Sequence, residues 1–402
     1  MNFKSFFGPD SKNLTLFYIV QGIVLFALIL ALFPVSEIKF STDSMSYISK
    51  GSWIAESLKY ADFTRGPMFP VLTALAITIF GHTAFVLMIM VRVAYVACVL
   101  AFGLFAWRLY GLVGAWTSGL YFAVAPLVQW PATKFHVDIF LLRCVRLALG
   151  TLSEAHRSEN RSMGLVAGVC LGCAFLTKET ALLLFPLLAV SWVFFSRNRQ
   201  KALRISGAAV AGLVGVLLPW ALLVFYFTGE FAIILGENIN KSGTFQTFTG
   251  VFFGTPVEMI NFSYEKLLNF LRVYFLNHGS FVAAMGSYGW ILLAGTAHLV
   301  ARAVVLRRSG DLLVVAALVL HTPFMVYLGW NTYDHRQALI IFALAAFGVG
   351  ALFGDLQRCL RKLAPFSPDV SGGAVFAVFV VAWVGTMAYT PSFKERFGGH
   401  FH

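Results

Sequence analysis

Residues 84–106 read AFVLMIMVRVAYVACVLAFGLFA, a run of 23 residues whose one charged member is Arg92. A helix needs about 20 apolar residues, at about 1.5 Å of rise each, to cross a bilayer. This stretch therefore reads as a membrane-spanning helix, and the rest of the chain has the same character. Of 402 residues, 59% are hydrophobic and only 12% are charged. A soluble domain is about one quarter charged, because its surface must be covered with polar groups. Disorder is excluded on the same ground, since so apolar a chain does not stay solvated. Lipid admits only helices or closed barrels. A barrel would show short alternating segments, whereas these runs are long and continuous. The expected fold is an all-α polytopic membrane protein.

Outward from this run, comparable stretches lie at Leu14–Phe33, Leu112–Trp130, Val137–Leu152, Gly164–Leu176 continuing into Ala181–Phe195, and Ile205–Phe227. The second half adds Phe281–Val300, Leu312–Trp330, Ala338–Leu352 and Gly373–Tyr389. Lys4 and Lys12 precede the first run, which predicts a cytoplasmic N-terminus. No small-residue cleavage site follows that run, so it reads as a retained anchor. The net charge of +12 is explained by basic clusters around His156–Arg161, Arg197–Lys201, Arg302–Arg308 and Arg358–Lys362. They fall between spans, and positive residues stay inside. No RNA-binding motif accompanies them, so nucleic acid is not an expected partner. Cys170-Leu-Gly-Cys173 lies mid-helix without a His or second pair, and the five cysteines read as small buried hydrophobes.

The clusters leave residues 35–66, 131–138, the turn Thr177-Lys178-Glu179, the long loop 229–280, residues 331–337 and the tail after Tyr389 on the opposite, outer face. Met68–Phe80 poses a parity problem, because 13 residues make only about 20 Å of helix. If it crosses, Arg108 falls outside and Val137–Leu152, with Arg143 and Arg146, must fail to cross. If it is re-entrant or interfacial, every basic cluster falls inside, and this is the expected arrangement. No fixed-period repeat or low-complexity linker divides the chain. Residues 1–402 are expected to form one membrane domain of about 10–12 transmembrane helices, with no separate soluble domain.

Ionisable residues near a span cost a few kcal/mol at the bilayer centre, so charges gathered on one face point to a site. Asp43, Arg65, Asp138, Lys178, Glu237, His278 and Arg336 come from several of these segments and fall on the outer side. Within the first outer loop, residues 46–59 place Tyr47, Ile48, Ile54, Ala55 and Leu58 on one helical face. That pattern predicts an amphipathic helix in the interface, headed by Asp43, which suits either a helix cap or a general base. Arg65, in DFTRGPMFP at 62–70, suits either a bidentate phosphate contact or a snorkelling anchor. Lys178 is followed by Glu179, which offers a local counter-charge. Aromatic and Gly/Thr/Ser residues interleave in KSGTFQTF at 241–248, which suits a lid or an interfacial helix pair.

The order of these elements resembles the C-type (GT-C) membrane glycosyltransferases, in particular the aminoarabinose transferase and protein O-mannosyltransferase group. The order is a short N-terminus, a span, a loop with Asp43 ahead of an amphipathic helix, then Arg65-Gly66-Pro67-Met68-Phe69-Pro70, and Phe80-Gly81 at the end of the next helix. Ala125-Pro126…Asp138 resembles the family's Pro…Asp segment. Gly164…Gly168…Gly172…Leu176-Thr177-Lys178 resembles its glycine-spaced helix ending in Leu-Thr-Lys. Tyr333-Asp334-His335-Arg336 resembles its late Arg-Tyr lead-in to a span, with Arg here three residues after Tyr. Ser44 and Thr64 stand where many relatives have acids, a departure from the family's metal-ligand pattern.

The resemblance implies a bundle in which a sugar leaves a polyprenyl-phosphate carrier for an acceptor hydroxyl of lipid, glycan or protein on the outer face. In that scheme Asp43 is the base of one inverting displacement, and Asp138 supports the site or binds a divalent ion. Arg65, Lys178 and Arg336 stabilise the departing phosphate. Glu237, His278 and Tyr333 are further substrate or metal candidates, although no metal spacing supports them. No cofactor is required by the sequence itself. The expected location is the bacterial inner membrane with the site outward. The competing reading is a transporter or flippase of lipid-linked sugars, which would favour internal repeats and midplane charges such as Arg92. His321 and His335 read as satisfied helix histidines.

Overall fold

The structure is a computed structural model that describes residues 40, 42–57, 66–125, 128, 135–195, 198–229, 288–327, 339–363 and 368–388. Leu14–Phe33 lies outside these. All the described regular structure is helical. The first outer loop forms α1 (Thr42–Ser57), which packs on α2 (Met68–Phe80). The helix α3 (Ala84–Val124) is folded on itself at Gly111, whose φ of 85° lies in the left-handed region. A glycine adopts that conformation without steric cost. Phe102 stacks on Phe122 with centroids 5.0 Å apart, and the Tyr95 hydroxyl donates to the Ala123 carbonyl. The limbs 84–110 and 112–124 are therefore two antiparallel helices joined by a single glycine.

The direction of each element follows from its partners. Next in the chain come α4 (Asp138–Arg157) and α5 (Arg161–Thr177). Arg146 donates to the Cys98 carbonyl at 3.1 Å, and Arg108 pairs with Glu154 at 2.5 Å. Limb 84–110 thus runs parallel to α4, and Ala84 lies at the Asp138 end. Phe69, at the start of α2, packs on Phe135 (4.9 Å) and Phe140 (5.0 Å) at that same end. A helix that starts and finishes at one end does not traverse the bundle. Within the bundle α2 turns back at the Asp138 end, and Arg108 joins the other basic residues at the opposite end.

From the basic end α5 returns to Lys178. Short 3-10 and α turns (Glu179–Leu184, α6 Phe185–Val190, Ser191–Val193) then descend until Ser191 meets His156 at 2.8 Å. The chain continues through α7 (Arg199–Thr228), α8 (Tyr288–Leu306), α9 (Ser309–Tyr327), α10 (Leu339–Leu363) and α11 (Pro368–Ala388). By length and composition alone, helices over 84–123, 199–227, 289–306 and 339–363 suffice to cross a membrane. Arg108, Arg157, Lys201 and Arg308 line one cleft, so the described members of the first three basic clusters share an end. Arg358 joins them, reaching the Tyr110 carbonyl at 3.5 Å.

The basic clusters are not the loops that the sequence suggested. Several of their members are turns of the helices themselves, because the helices continue past their apolar runs. Arg302 is 3% exposed and pairs with Asp311 of α9 (3.1 Å) and with Asp355 of α10. His298 and Arg358 also bind Asp355, at 3.0 and 2.8 Å. This network stitches three helices together. A second interior cation, Arg146, lies between the faces of Phe102 and Phe122, 4.0 and 3.7 Å from their centroids. Those ring faces offset part of its desolvation.

Glycine spacing sets the closest helix contact. An added Cβ on Gly168 would lie 1.8 Å from the Ala209 carbonyl oxygen, and one on Gly212 would lie 2.2 Å from that of Leu165. Small residues let α5 and α7 approach backbone to backbone, the usual packing device in lipid. Gly207 of α7 faces open space. Gly168→Ala is expected to destabilise the protein by about 1–3 kcal/mol through overpacking. Gly207→Ala should be neutral or stabilising, because it only removes the helix cost of glycine. Thermal unfolding in detergent checks the contrast, and equal effects of the two substitutions would refute the close contact.

Candidate active site

The Asp138 end collects the residues singled out above, and its frame is built from two helix termini. Asp138 stands in the first turn of α4, where the helix dipole favours a carboxylate. Lys178 follows the last residue of α5 in extended conformation (φ −156°, ψ 133°), its N–H still bonded to the Ala174 carbonyl. Because α4 and α5 are antiparallel, residues 40 apart in sequence meet: Lys178 Nζ donates to Asp138 Oδ1 at 2.7 Å. The carboxylate is 1% exposed and the lysine side chain 15% exposed. Asp138 is thus sealed in, while Lys178 keeps an opening to the surface. His136 Nδ1 lies 3.7 Å from the other carboxylate oxygen, and its side chain is buried as well.

Around this pair the neighbouring segments are held tightly. An added Cβ on Gly66 would fall 2.1 Å from the Leu176 carbonyl oxygen, so the lead-in to α2 rests on the end of α5, two residues before Lys178. Phe69 is fully buried and receives Tyr47 edge-on at 5.1 Å, which ties α1 to the Phe135–Phe140 corner. Asp43 occupies the first turn of α1, one turn ahead of Tyr47, and α1 begins four residues earlier than its apolar pattern implied. Gly51 of α1 meets Thr73 of α2, and Ser44 is buried. The interfacial helix is thereby docked on the bundle, with Met45 and Trp53 left exposed.

Two residues acquire a place that the sequence did not suggest. Arg92 is 2% exposed and lies six residues, about 9 Å, from Cys98 toward the Asp138 end. Arg146, level with Cys98, lies eight residues, about 12 Å, from Asp138. Arg92 is therefore within a turn of the height of Asp138 and not at midplane. His321 of α9 is fully buried and close enough to Lys178 to feel its charge. Helix periodicity alone does not reveal such neighbours, because they depend on which helices adjoin.

Asp43, Asp138 and Lys178 are the predicted site residues that fall on described elements. Arg65, Glu237, His278, Tyr333 and Arg336 lie outside the described residues. Among the described residues no three of His, Cys, Asp and Glu converge as a metal-ligand group. Asp138 engages the Lys178 ammonium through Oδ1, and its Oδ2 faces His136. What the described corner can do is present one oriented cation at the mouth of an apolar bundle. That cation is suited to an anion arriving from the membrane surface.

Residues 64–226 match the family described as dolichyl-phosphate-mannose-protein mannosyltransferase. No curated protein matches the chain by sequence. Among solved structures, it is similar to the archaeal oligosaccharyltransferase AglB from Archaeoglobus fulgidus, in complex with an inhibitory peptide and a dolichol-phosphate. That match has a TM-score of 0.64 at 15% identity and covers 92% of this chain. The chain spans about half, 55%, of that protein's length. It is similar also to ArnT from Cupriavidus metallidurans bound to undecaprenyl phosphate, with a TM-score of 0.60 at 14% identity. This second match covers 93% of the chain and 71% of ArnT. The protein thus has the fold that AglB and ArnT share.

Proposed function

We propose that the protein transfers a sugar from a polyprenyl-phosphate carrier to an acceptor hydroxyl at the Asp138 end of the bundle. The observation that carries this reading is Lys178, an ammonium oriented by a buried carboxylate and left partly open. Both solved relatives quoted above are bound to a polyprenyl phosphate, which fits an anion site of this kind. The leaving group is a lipid phosphate, so a preorganised cation lowers the barrier by stabilising the charge that develops on it. Lys178 takes that role, and Asp138 is its positioning residue. Arg65 precedes Gly66, which rests beside Leu176, and is assigned to the same phosphate. Arg336 is its third partner.

Asp43 heads a docked interfacial helix at this end and is assigned the acceptor's proton. As the acceptor oxygen bonds to the anomeric carbon, the bond to the phosphate oxygen breaks and the acceptor proton passes to Asp43. One displacement inverts the anomeric centre. Glu237, His278 and Tyr333 belong to the acceptor side or to a bound divalent ion. The basic end faces the cytoplasm under the positive-inside rule, which turns the site outward.

Two outcomes test the scheme. In proteoliposomes supplied with a polyprenyl-phosphate sugar, Asp43→Asn should lower transfer by about 10²–10⁴ while donor binding persists. Unchanged turnover would remove Asp43 as the base. Asp43→Cys should react with a membrane-impermeant thiol reagent from outside, and reaction only from the cytoplasm would reverse the orientation.

Lys178→Met leaves a buried carboxylate uncompensated. It should destabilise toward the low end of about 3–5 kcal/mol, because the ammonium keeps some solvent contact. Adding Asp138→Asn should restore thermal stability without restoring transfer. If the double variant regains turnover, Lys178 does not act on the phosphate.

A further inference from the structure

A cavity of about 700 Å³ opens at the basic end of the bundle, opposite Asp138. Its walls come from limb 84–110, α4, the segment after α6, α7 and the start of α9. The carboxylates in it are already engaged: Glu154 holds Arg108 at 2.5 Å, and Glu159 holds Lys201 at 2.5 Å. Arg157 and Arg308 line the same cavity, and neither has an ion-pair partner among the described residues. Two guanidiniums are therefore in excess around one concavity. Positive-inside bias accounts for basic residues at this end, but not for their convergence on a cavity with an apolar floor.

That floor is formed by Phe105, Leu109, Phe195 and Ile205. It is held rigid, because the His156 ring stacks on Phe195 at 4.6 Å and bonds to Ser191, which bonds in turn to Ser206 of α7 at 2.9 Å. The turns carrying the rim are strained. Glu159 (φ 53°) and Arg307 (φ 49°) are the non-glycine residues with left-handed backbone among the described residues. Such outliers cost on the order of 1 kcal/mol or more and gather at functional sites.

We propose that this cleft binds an anionic phospholipid of the adjacent leaflet. Its phosphodiester sits between Arg157 and Arg308, and an acyl chain runs over the apolar floor. Basic pockets between transmembrane helices on the cytoplasmic side are suited to such headgroups. A fork of guanidinium N–H groups matches phosphate oxygens. The cavity is of ligand size, within the about 300–1,000 Å³ typical of small-molecule sites.

The test is a titration of the full-length detergent-purified protein, with bound lipid counted by native mass spectrometry. Phosphatidylglycerol should bind saturably with a stoichiometry of one tight site, and phosphatidylcholine should not. Inorganic phosphate should fail to compete at concentrations that leave the protein folded. Competition by inorganic phosphate alone would identify a free-anion site and overturn the lipid assignment.

The double variant Arg157→Gln/Arg308→Gln should weaken phosphatidylglycerol on the order of twentyfold, from about fivefold per basic residue. Arg361→Gln/Lys362→Gln removes equal charge at the same end but outside the cleft, on exposed positions of α10. It should leave the affinity unchanged. Equal weakening by both double variants, or equal binding of the two lipids to the unmodified protein, would overturn the site.

Discussion

The ion pair between Asp138 and Lys178 is the constraint on which its end of the bundle depends. A charge inside an apolar bundle must be paired or carried to an end. This pair does both at once, joining the first turn of α4 to the residue after α5. Their register is thereby fixed, and with it the height at which the glycines of α5 meet α7. Gly66 then finds the Leu176 carbonyl, and Phe69 finds the corner formed by Phe135 and Phe140. Shifting α5 by one turn would move Lys178 about 5 Å, breaking the ion pair and misplacing the floor on which α1 and α2 rest.

Charge is handled differently at the two ends. At the basic end Arg302 closes a network with Asp311 and Asp355, while Arg157 and Arg308 have no ion-pair partner among the described residues. The network is buried and structural in its geometry: it joins α8, α9 and α10 where their polar turns emerge from the apolar layer. Each of its anions is matched by a cation, so it leaves no charge to offer a ligand. The neighbouring cleft offers two. The same residue type thus serves cohesion in one place and an open electrostatic surface in another, and pairing decides which.

The long apolar helices were legible because they depend on length and apolarity. Met68–Phe80 has the bounds that its composition implies. A break between Ala106 and Leu112 was legible from the two apolar runs, but that one left-handed glycine, Gly111, makes the whole turn was not. Arg302 was misread as a loop charge because its partners, Asp311 and Asp355, come from later helices. Glu179 beside Lys178 looked like the natural counter-charge, and only the antiparallel pairing of α4 and α5 shows that Asp138 takes that place. Family resemblance pointed to Asp138 and Lys178 separately, but their joining is a property of the tertiary structure. Arg92 shows the same limit, because its height on the bundle is set by which residue of α4 it faces.

The proposed scheme gives its two carboxylates different roles. Paired titratable groups do different work when their surroundings differ. Asp138 is sealed from solvent and holds an ammonium, so taking a proton there would strand Lys178 without its partner. Neutralising it would free the cation from the orientation that makes it useful to a phosphate. A base must instead reach the acceptor hydroxyl and release its proton to water between turnovers. Asp43 stands in the first turn of a helix that docks on the bundle through Tyr47, and the proposed scheme gives it that proton. In the same scheme the buried acid supports the charge that receives the leaving phosphate, a task that calls for a fixed partner and not for proton exchange.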